Sequence, residues 1–115
     1  KRQILTPHVK EYERLAGNDD PREFAKKFKL NLALKNAYTL VTDGIVSYKV
    51  VSGCAAMAKG GSGDVLSGIV AAYSCRTAPL EALATACHVF GRCGEKAAAS
   101  MGENAVKASD IIKYL

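Results

Sequence analysis

Apolar and polar positions follow a legible order along the chain. Ile4 and Leu5 read as the end of a short buried strand, closed by Thr6-Pro7-His8. Val9 to Ala16 reads as a short helix with Gly17 just past its end. Asp20-Pro21 is a helix start signal, and Pro21 to about Phe28 follows as a second helix. Phe24, Ala25 and Phe28 share its apolar face, while Lys26, Lys27 and Lys29 are solvated. Leu30, Leu32 and Leu34 alternate with Asn31 and Ala33, the period of a strand. Tyr38–Thr42 and Ile45–Val51 flank Asp43-Gly44 and predict a hairpin.

The second half of the chain changes period. Val65 to Cys75 is apolar nearly all round and predicts a buried helix. Leu80 to about Met101 predicts a long Ala-rich helix ended by Gly102. Gly91 and Gly94 inside it weaken it unless a neighbour packs closely there. Ser109 caps a predicted final helix, Asp110 to Leu115. Strands with helices between them, then mostly helix, predict an α/β layered domain with a mixed sheet. There is no internal repeat and no low-complexity linker.

At 115 residues the chain is long enough for one domain with a real core. Apolar residues make up 49% and charged residues 23%, a globular profile. The net charge of +5 favours anionic ligands. No dense Lys/Arg patch with interleaved aromatics suggests nucleic acid, and no apolar run reaches membrane-spanning length. Cys54, Cys75, Cys87 and Cys93 form no C-x-x-C pair, so no zinc site is expected. Their apolar surroundings read as buried, reduced thiols of a cytoplasmic protein.

The stretch from Ala58 to Gly68 carries the chemistry. Gly60, Gly61 and Gly63 lead into an apolar run. A Gly-rich turn opening a helix directs free N–H groups and the positive end of the dipole at an anion. Asp64 stands where that helix begins. A carboxylate repels an anion, unless it takes a proton from a hydroxyl that faces a phosphate. The plainer reading is that Ser62 or Asp64 is an ordinary N-cap and the glycines an ordinary turn. The phosphate-loop pattern of Gly-Lys followed by Ser or Thr is absent, because Lys59 precedes the glycines.

Three stretches together resemble one family. They are Ile4-Leu5-Thr6-Pro7-His8 with Glu11 and Leu15, Leu34-Lys35-Asn36 before a hairpin, and Ala58-Lys59-Gly60-Gly61-Ser62-Gly63-Asp64-Val65-Leu66-Ser67-Gly68. Their order resembles the ADP- or ATP-dependent NAD(P)H-hydrate dehydratases, ribokinase-like proteins of the carbohydrate-kinase superfamily. The resemblance runs along residues 1–115 and implies the C-terminal half of that family's layered catalytic domain. It implies repair of hydrated NADH and NADPH. A nucleotide phosphoryl group passes to the ring hydroxyl, and phosphate elimination restores the cofactor. Asp64 is then the base and a contact of the hydrated nicotinamide, and His8 lies on the hydrate side. Lys35, Asn36, Ala37, Tyr38 and Thr39 match the segment at the AMP portion of the nucleotide, and Gly63 matches a glycine at the nucleotide. The amides around Gly61, Ser62 and Gly63 form the anion hole. Mg²⁺ accompanies the phosphates, held largely by phosphate oxygens and water.

The chain departs from the family pattern in places. Asn36 stands where Gly often follows the lysine, Phe90 where a His often precedes the helix glycine, and Val50-Val51-Ser52-Gly53-Cys54-Ala55 stands where the family often has Asn, Pro and a further Gly. Two other readings stand beside the dehydratase. One is a small-molecule kinase of the same superfamily, acting on a thiazole, pyrimidine or sugar alcohol. The other is a non-catalytic nucleotide-binding or assembly module. Apolar surface left by absent strands implies a homo-oligomer or a missing N-terminal half as partner.

Overall fold

A computed structural model describes residues 2–115. Four strands form one mixed sheet in the order β1-β2-β3-β4. They are β1 (Gln3–Leu5), β2 (Leu30–Lys35), β3 (Thr39–Thr42) and β4 (Ser47–Val50). β1 runs parallel to β2, and the pairs β2–β3 and β3–β4 are antiparallel. The mixed sheet and the pairing of the two hairpin strands are as the sequence predicts.

Helices cover both faces. The helices α1 (Val9–Ala16) and α2 (Pro21–Phe28) form the crossover between β1 and β2. Tyr12, Phe24 and Ala25 pack there against Leu30 and Leu32. The other face carries α3 (Ser62–Ser74), α4 (Pro79–Met101) and α5 (Ala108–Ile112). Leu66, Ile69, Leu83, Ala86, Phe90 and Ile111 pack there with Ala33, Val41 and Val50. The start of α2 is as read: Asp20 accepts from the N–H groups of Arg22 and Glu23, with Pro21 in the first turn.

Several expectations are corrected by packing. β2 is buried at Leu30, Asn31, Leu32 and Ala33 alike, because helices lie on both sides of it; the alternation in its sequence marks two cores and no solvent face. β1 is half-exposed rather than buried, since it is an edge strand with one neighbour. Phe28 is exposed although it shares a face with Phe24, because it sits at the helix end, where it meets Phe24, 4.8 Å between centroids, and Lys27 Nζ, 5.3 Å from its ring centroid. The hairpin turn takes Ile45 and Val46 out of the strand. Asp43 Oδ1 accepts from both their N–H groups at 2.8 Å, and Thr42 pairs with Ser47 across a four-residue turn, 43–46.

α3 starts three residues earlier than expected and is not buried all round. Leu66, Ile69 and Val70 face the core, while Asp64, Ser67, Ala71 and Ala72 are exposed. α5 begins at Ala108 with Lys107 as its cap in place of Ser109, because the Asp110 carboxylate accepts the Lys107 N–H at 2.9 Å. Of the cysteines, Cys87 and Cys93 are buried, Cys54 is half-buried and Cys75 is exposed at the end of α3. No helix among the described residues is long and apolar enough to cross a membrane.

Gly91 and Gly94 do mark close packing. A Cβ on Gly91 would stand 2.7 Å from the backbone carbon and oxygen of Ser52. One on Gly94 would stand 2.5 Å from Met57 Cγ. The strand-to-helix segment thereby lies directly on α4. Gly53 N–H also donates to Glu95 Oε1 at 2.9 Å, and Ser52 Oγ donates to the His88 carbonyl at 3.0 Å.

Candidate active site

A cleft of about 870 Å³ opens between the Gly-rich turn, the end of β2, the start of α1 and the segment after β4. That volume suits a ligand of nucleotide size. His8, Lys35, Asn36, Ala37, Thr39, Gly61, Ser62, Gly63 and Asp64 all line it. Of the residues given a catalytic or ligand-binding role from the sequence, Tyr38 does not, and neither does Gly60 of the Gly-rich turn. The Tyr38 side chain is exposed, with Lys49 Nζ 4.3 Å from its ring centroid.

Each wall has a local reason. Pleating sends Asn31, Ala33 and Lys35 to the same side of the sheet. Ala33 belongs to the core under α3 and α4, so Lys35 at the strand end reaches the Gly-rich turn. Lys35 Nζ lies 3.4 Å from where a Gly63 Cβ would be. A Cβ at position 63 would touch that ammonium group at about ordinary contact distance. Residues 36–38 bend directly into β3, with Lys35 opposite Thr39 in register. The Lys35 N–H donates to the Pro7 carbonyl at 2.9 Å, which ties the start of α1 to the strand end.

The Gly-rich turn is built around a positive φ. Gly61 is the N-cap of α3 at φ 88°, a conformation that glycine adopts without strain. Neither Ser62 nor Asp64 caps the helix; they occupy its first and third positions. The Ser62 N–H turns back to the Lys59 carbonyl at 3.1 Å, and the Val65 N–H to the Gly61 carbonyl at 3.2 Å. The amides of Gly63 and Asp64 lie between these two, where a helix offers no internal acceptor. Asp64 itself is exposed in the first turn. The Ser62 hydroxyl is buried and without a hydrogen-bond partner.

His8 caps α1. Its Nδ1 accepts the Glu11 N–H at 3.1 Å, and its backbone N–H donates to Glu11 Oε2 at 2.9 Å. The Thr-Pro-His stretch is therefore both a helix cap and a cleft wall. That His8 N–H is the main reason the Glu11 carboxyl lies below its ordinary range, with His8, Lys35 and Arg14 adding positive charge.

Sequence reasoning missed part of the wall. Ser52, Gly53, Cys54, Met57, Cys87 and Phe90 also line the cleft, and Glu11 does so beside His8. Burial pushes the Cys87 thiol up to about 12, so it stays protonated. Only Glu11 had a local signal, three residues after a capping position. The others reach the cleft by tertiary packing of α4 against the segment after β4.

Solved structures with this architecture define the class. Bacillus subtilis YxkO, described as a putative kinase, superposes with a TM-score of 0.89 at 27% identity, over 96% of this chain and 46% of its own. The ADP/ATP-dependent NAD(P)H-hydrate dehydratase of Bacillus subtilis, co-crystallised with ATP and Mg²⁺ and soaked with CoA, gives 0.86 at 26% identity, over 96% of this chain and 46% of its own. The fold is the carbohydrate-kinase-like fold of these dehydratases.

The family follows from sequence comparison. The model of the NAD(P)H-hydrate dehydratase family matches residues 1–115, and the chain belongs to that family. It is 37% identical to the bifunctional NAD(P)H-hydrate repair enzyme Nnr of Pyrobaculum aerophilum, over 97% of this chain and 24% of that protein. It is 33% identical to the ADP-dependent (S)-NAD(P)H-hydrate dehydratase of Cenarchaeum symbiosum, over 97% of this chain and 42% of that protein. The chain thus spans less than half the length of these relatives.

Proposed function

We propose that this chain supplies the nucleotide-binding and proton-abstracting part of an enzyme that dehydrates hydrated NADH or NADPH at the expense of ADP or ATP. The observation that carries the reading is the convergence of Lys35, Gly63, Asp64 and His8 on one cleft from three separate parts of the chain. Nucleotide phosphates sit at the first turn of α3. The Ser62 amide is committed to the Lys59 carbonyl, so the anion hole is made chiefly by the Gly63 and Asp64 amides. The Lys35 ammonium adds positive charge beside Gly63.

Asp64 takes the proton of the hydrate's hydroxyl as its oxygen attacks the terminal phosphorus. The bond from that phosphorus to the bridging oxygen breaks, and the nucleotide leaves one phosphate shorter. The ring C–O bond to phosphate then breaks, phosphate leaves with the electron pair, and a proton is lost from the neighbouring ring carbon, which restores the double bond of the reduced nicotinamide. His8, on the wall formed by α1, contacts the hydrate.

Mg²⁺ fits this cleft as an ion carried by the nucleotide. No three His, Cys, Asp or Glu side chains stand together among the described residues, and an ion carried by the nucleotide would take its oxygen ligands chiefly from phosphate and water. It would supply charge neutralisation for the transferring group. Turnover belongs to the protein that also holds the remaining length of the relatives, in this chain or another.

The test is to incubate that protein with hydrated NADH and ADP or ATP and follow the absorbance of reduced nicotinamide. Its return, dependent on nucleotide, is expected. Phosphorylated hydrate accumulating without loss of phosphate would instead support a kinase of the same superfamily.

A further inference from the structure

Glu11 meets the His8 ring at two points, one of them a hydrogen bond. Nδ1 accepts the Glu11 N–H at 3.1 Å, and Glu11 Oε1 lies 3.4 Å from Nε2. The second carboxylate oxygen holds the His8 backbone N–H at 2.9 Å. A neutral imidazole has one donor and one acceptor nitrogen. With the Nδ1 lone pair committed to a backbone N–H, the proton belongs on Nε2.

We propose that Glu11 is a positioning residue that locks His8 in the Nε2–H tautomer, so that the ring offers the cleft a hydrogen-bond donor and recognises an acceptor oxygen on the ligand. That the ligand is a hydrated nicotinamide rests on the function proposed above; the tautomer does not.

Capping alone does not account for the arrangement. Ser, Thr, Asn and Asp cap helices well, and none needs an imidazole. Both side chains line the cleft, and both are about half exposed, His8 at 51% and Glu11 at 49%. The Glu11 carboxylate is kept ionised by the His8 N–H. It favours a proton on the nitrogen nearest it, which is Nε2. The donor role also separates His8 from Asp64. A ring whose one lone pair is occupied by backbone cannot serve as the base, which leaves proton abstraction to the carboxylate.

Nitrogen-15 spectra of the imidazoles in this chain test the lock. The chain has two histidines, and His88 is exposed on α4, so a His88→Gln variant assigns the signals and His88 serves as the internal reference. Above the pH at which both rings lose charge, His8 is expected at least about fivefold further toward Nε2–H than His88, the equilibrium equivalent of one ordinary hydrogen bond. Glu11→Gln keeps an oxygen for the His8 N–H and is expected to keep most of the bias. Glu11→Ala keeps the backbone N–H on Nδ1 but loses the carboxylate beside Nε2 and its hold on the His8 N–H, and is expected to bring the ratio part of the way toward that of His88. Glu11→Asp, one methylene short, is expected to do the same and replaces the Ala variant should that one not fold.

A native ratio equal to that of His88 overturns the lock. An unchanged ratio in the folded Ala or Asp variant overturns the positioning role of the carboxylate. Either failure leaves the nicotinamide assay untouched, and a failed assay with the lock intact overturns only the functional reading.

Discussion

Two residue types decide the chemistry proposed for this chain, a carboxylate at a helix start and glycines where others cannot fit. Asp64 as base predicts a specific kinetic signature in the intact enzyme. Asp64→Asn should lower kcat by about two to four powers of ten, with KM changed little, because the proton moves only in the transition state. Nucleotide affinity, measured by calorimetry, should hold or rise as the negative charge leaves the phosphate site. Near-normal turnover in the folded variant would remove Asp64 from the chemistry. Gly91 and Gly94 separate in a similar test. Alanine gains about 1 kcal/mol over glycine inside a helix, and overpacking costs about 1–3 kcal/mol. Gly91→Ala meets the backbone of Ser52, which cannot step aside, so its melting temperature should fall by several degrees. Gly94→Ala meets the Met57 side chain, which can swing away, so its melting temperature should change much less. Equal losses at both sites would show that backbone rigidity does not distinguish them.

Among the elements, the β3–β4 turn and the caps of α1 and α5 rest on carboxylates. Asp43 is held below its ordinary range first by the Val46 N–H, then by Ile45, with Arg2 nearby. Asp110 is held low by the Lys107 N–H and the Lys113 ammonium, and Glu11 by the His8 N–H. Each has a folded pKa below its unfolded value. Its contribution to stability is complete above the unfolded value, about 4, and is lost as pH falls through the folded value. Melting temperature should therefore be flat from pH 7 to about pH 5 and decline below about pH 4. Asp43→Asn keeps the turn acceptor without the titration, so its acid decline should be shallower than that of the native chain. An identical acid slope in the variant would show that Asp43 plays no part. The extra length of the β3–β4 turn has the same origin. Asp43-Gly44 signals a hairpin correctly, but the carboxylate's hold on both Ile45 and Val46 sets a four-residue turn.

Taken as a whole molecule, helices cover both faces of β2, and among the described residues the sheet is open at the β1 and β4 edges. β2 and β3 lie inside it, whereas β1 and β4 each have one neighbour. Ile45 at 77% and Val51 at 66% exposure leave apolar surface beside the β4 edge. Amide exchange should run slowest in Leu32, Ala33 and Val41, which are fully buried, and fastest in β1 and β4. Protection of β1 equal to that of β2 in the isolated chain would mean that something pairs with its free edge, and sedimentation would then show an assembly. The cleft is also a property of the whole. Its walls come from α1, β2, the segment after β4, α3 and α4, which lie far apart in sequence.

Local chemistry in the chain was sufficient for whatever depends on neighbours within a few residues. Gly17, Asp20-Pro21 and Asp43-Gly44 marked their turns, because backbone dihedrals and caps are satisfied locally. The Gly-rich turn at the start of α3 was legible for the same reason, and the family through the resemblance of three stretches. Tertiary structure decided what depends on burial and on contact between distant segments. The amphipathic seat of α3, the two-faced burial of β2 and the exposure of Phe28 follow from which surfaces other elements cover. Cys87 and Phe90 became cleft wall only because Gly91 and Gly94 let the segment after β4 lie against α4. Lys35 became a neighbour of Gly63 because the pleat of β2 points it under α3. Sequence carries the dihedral preferences of each residue, whereas burial is a sum over the whole chain and exists only once the layers have packed.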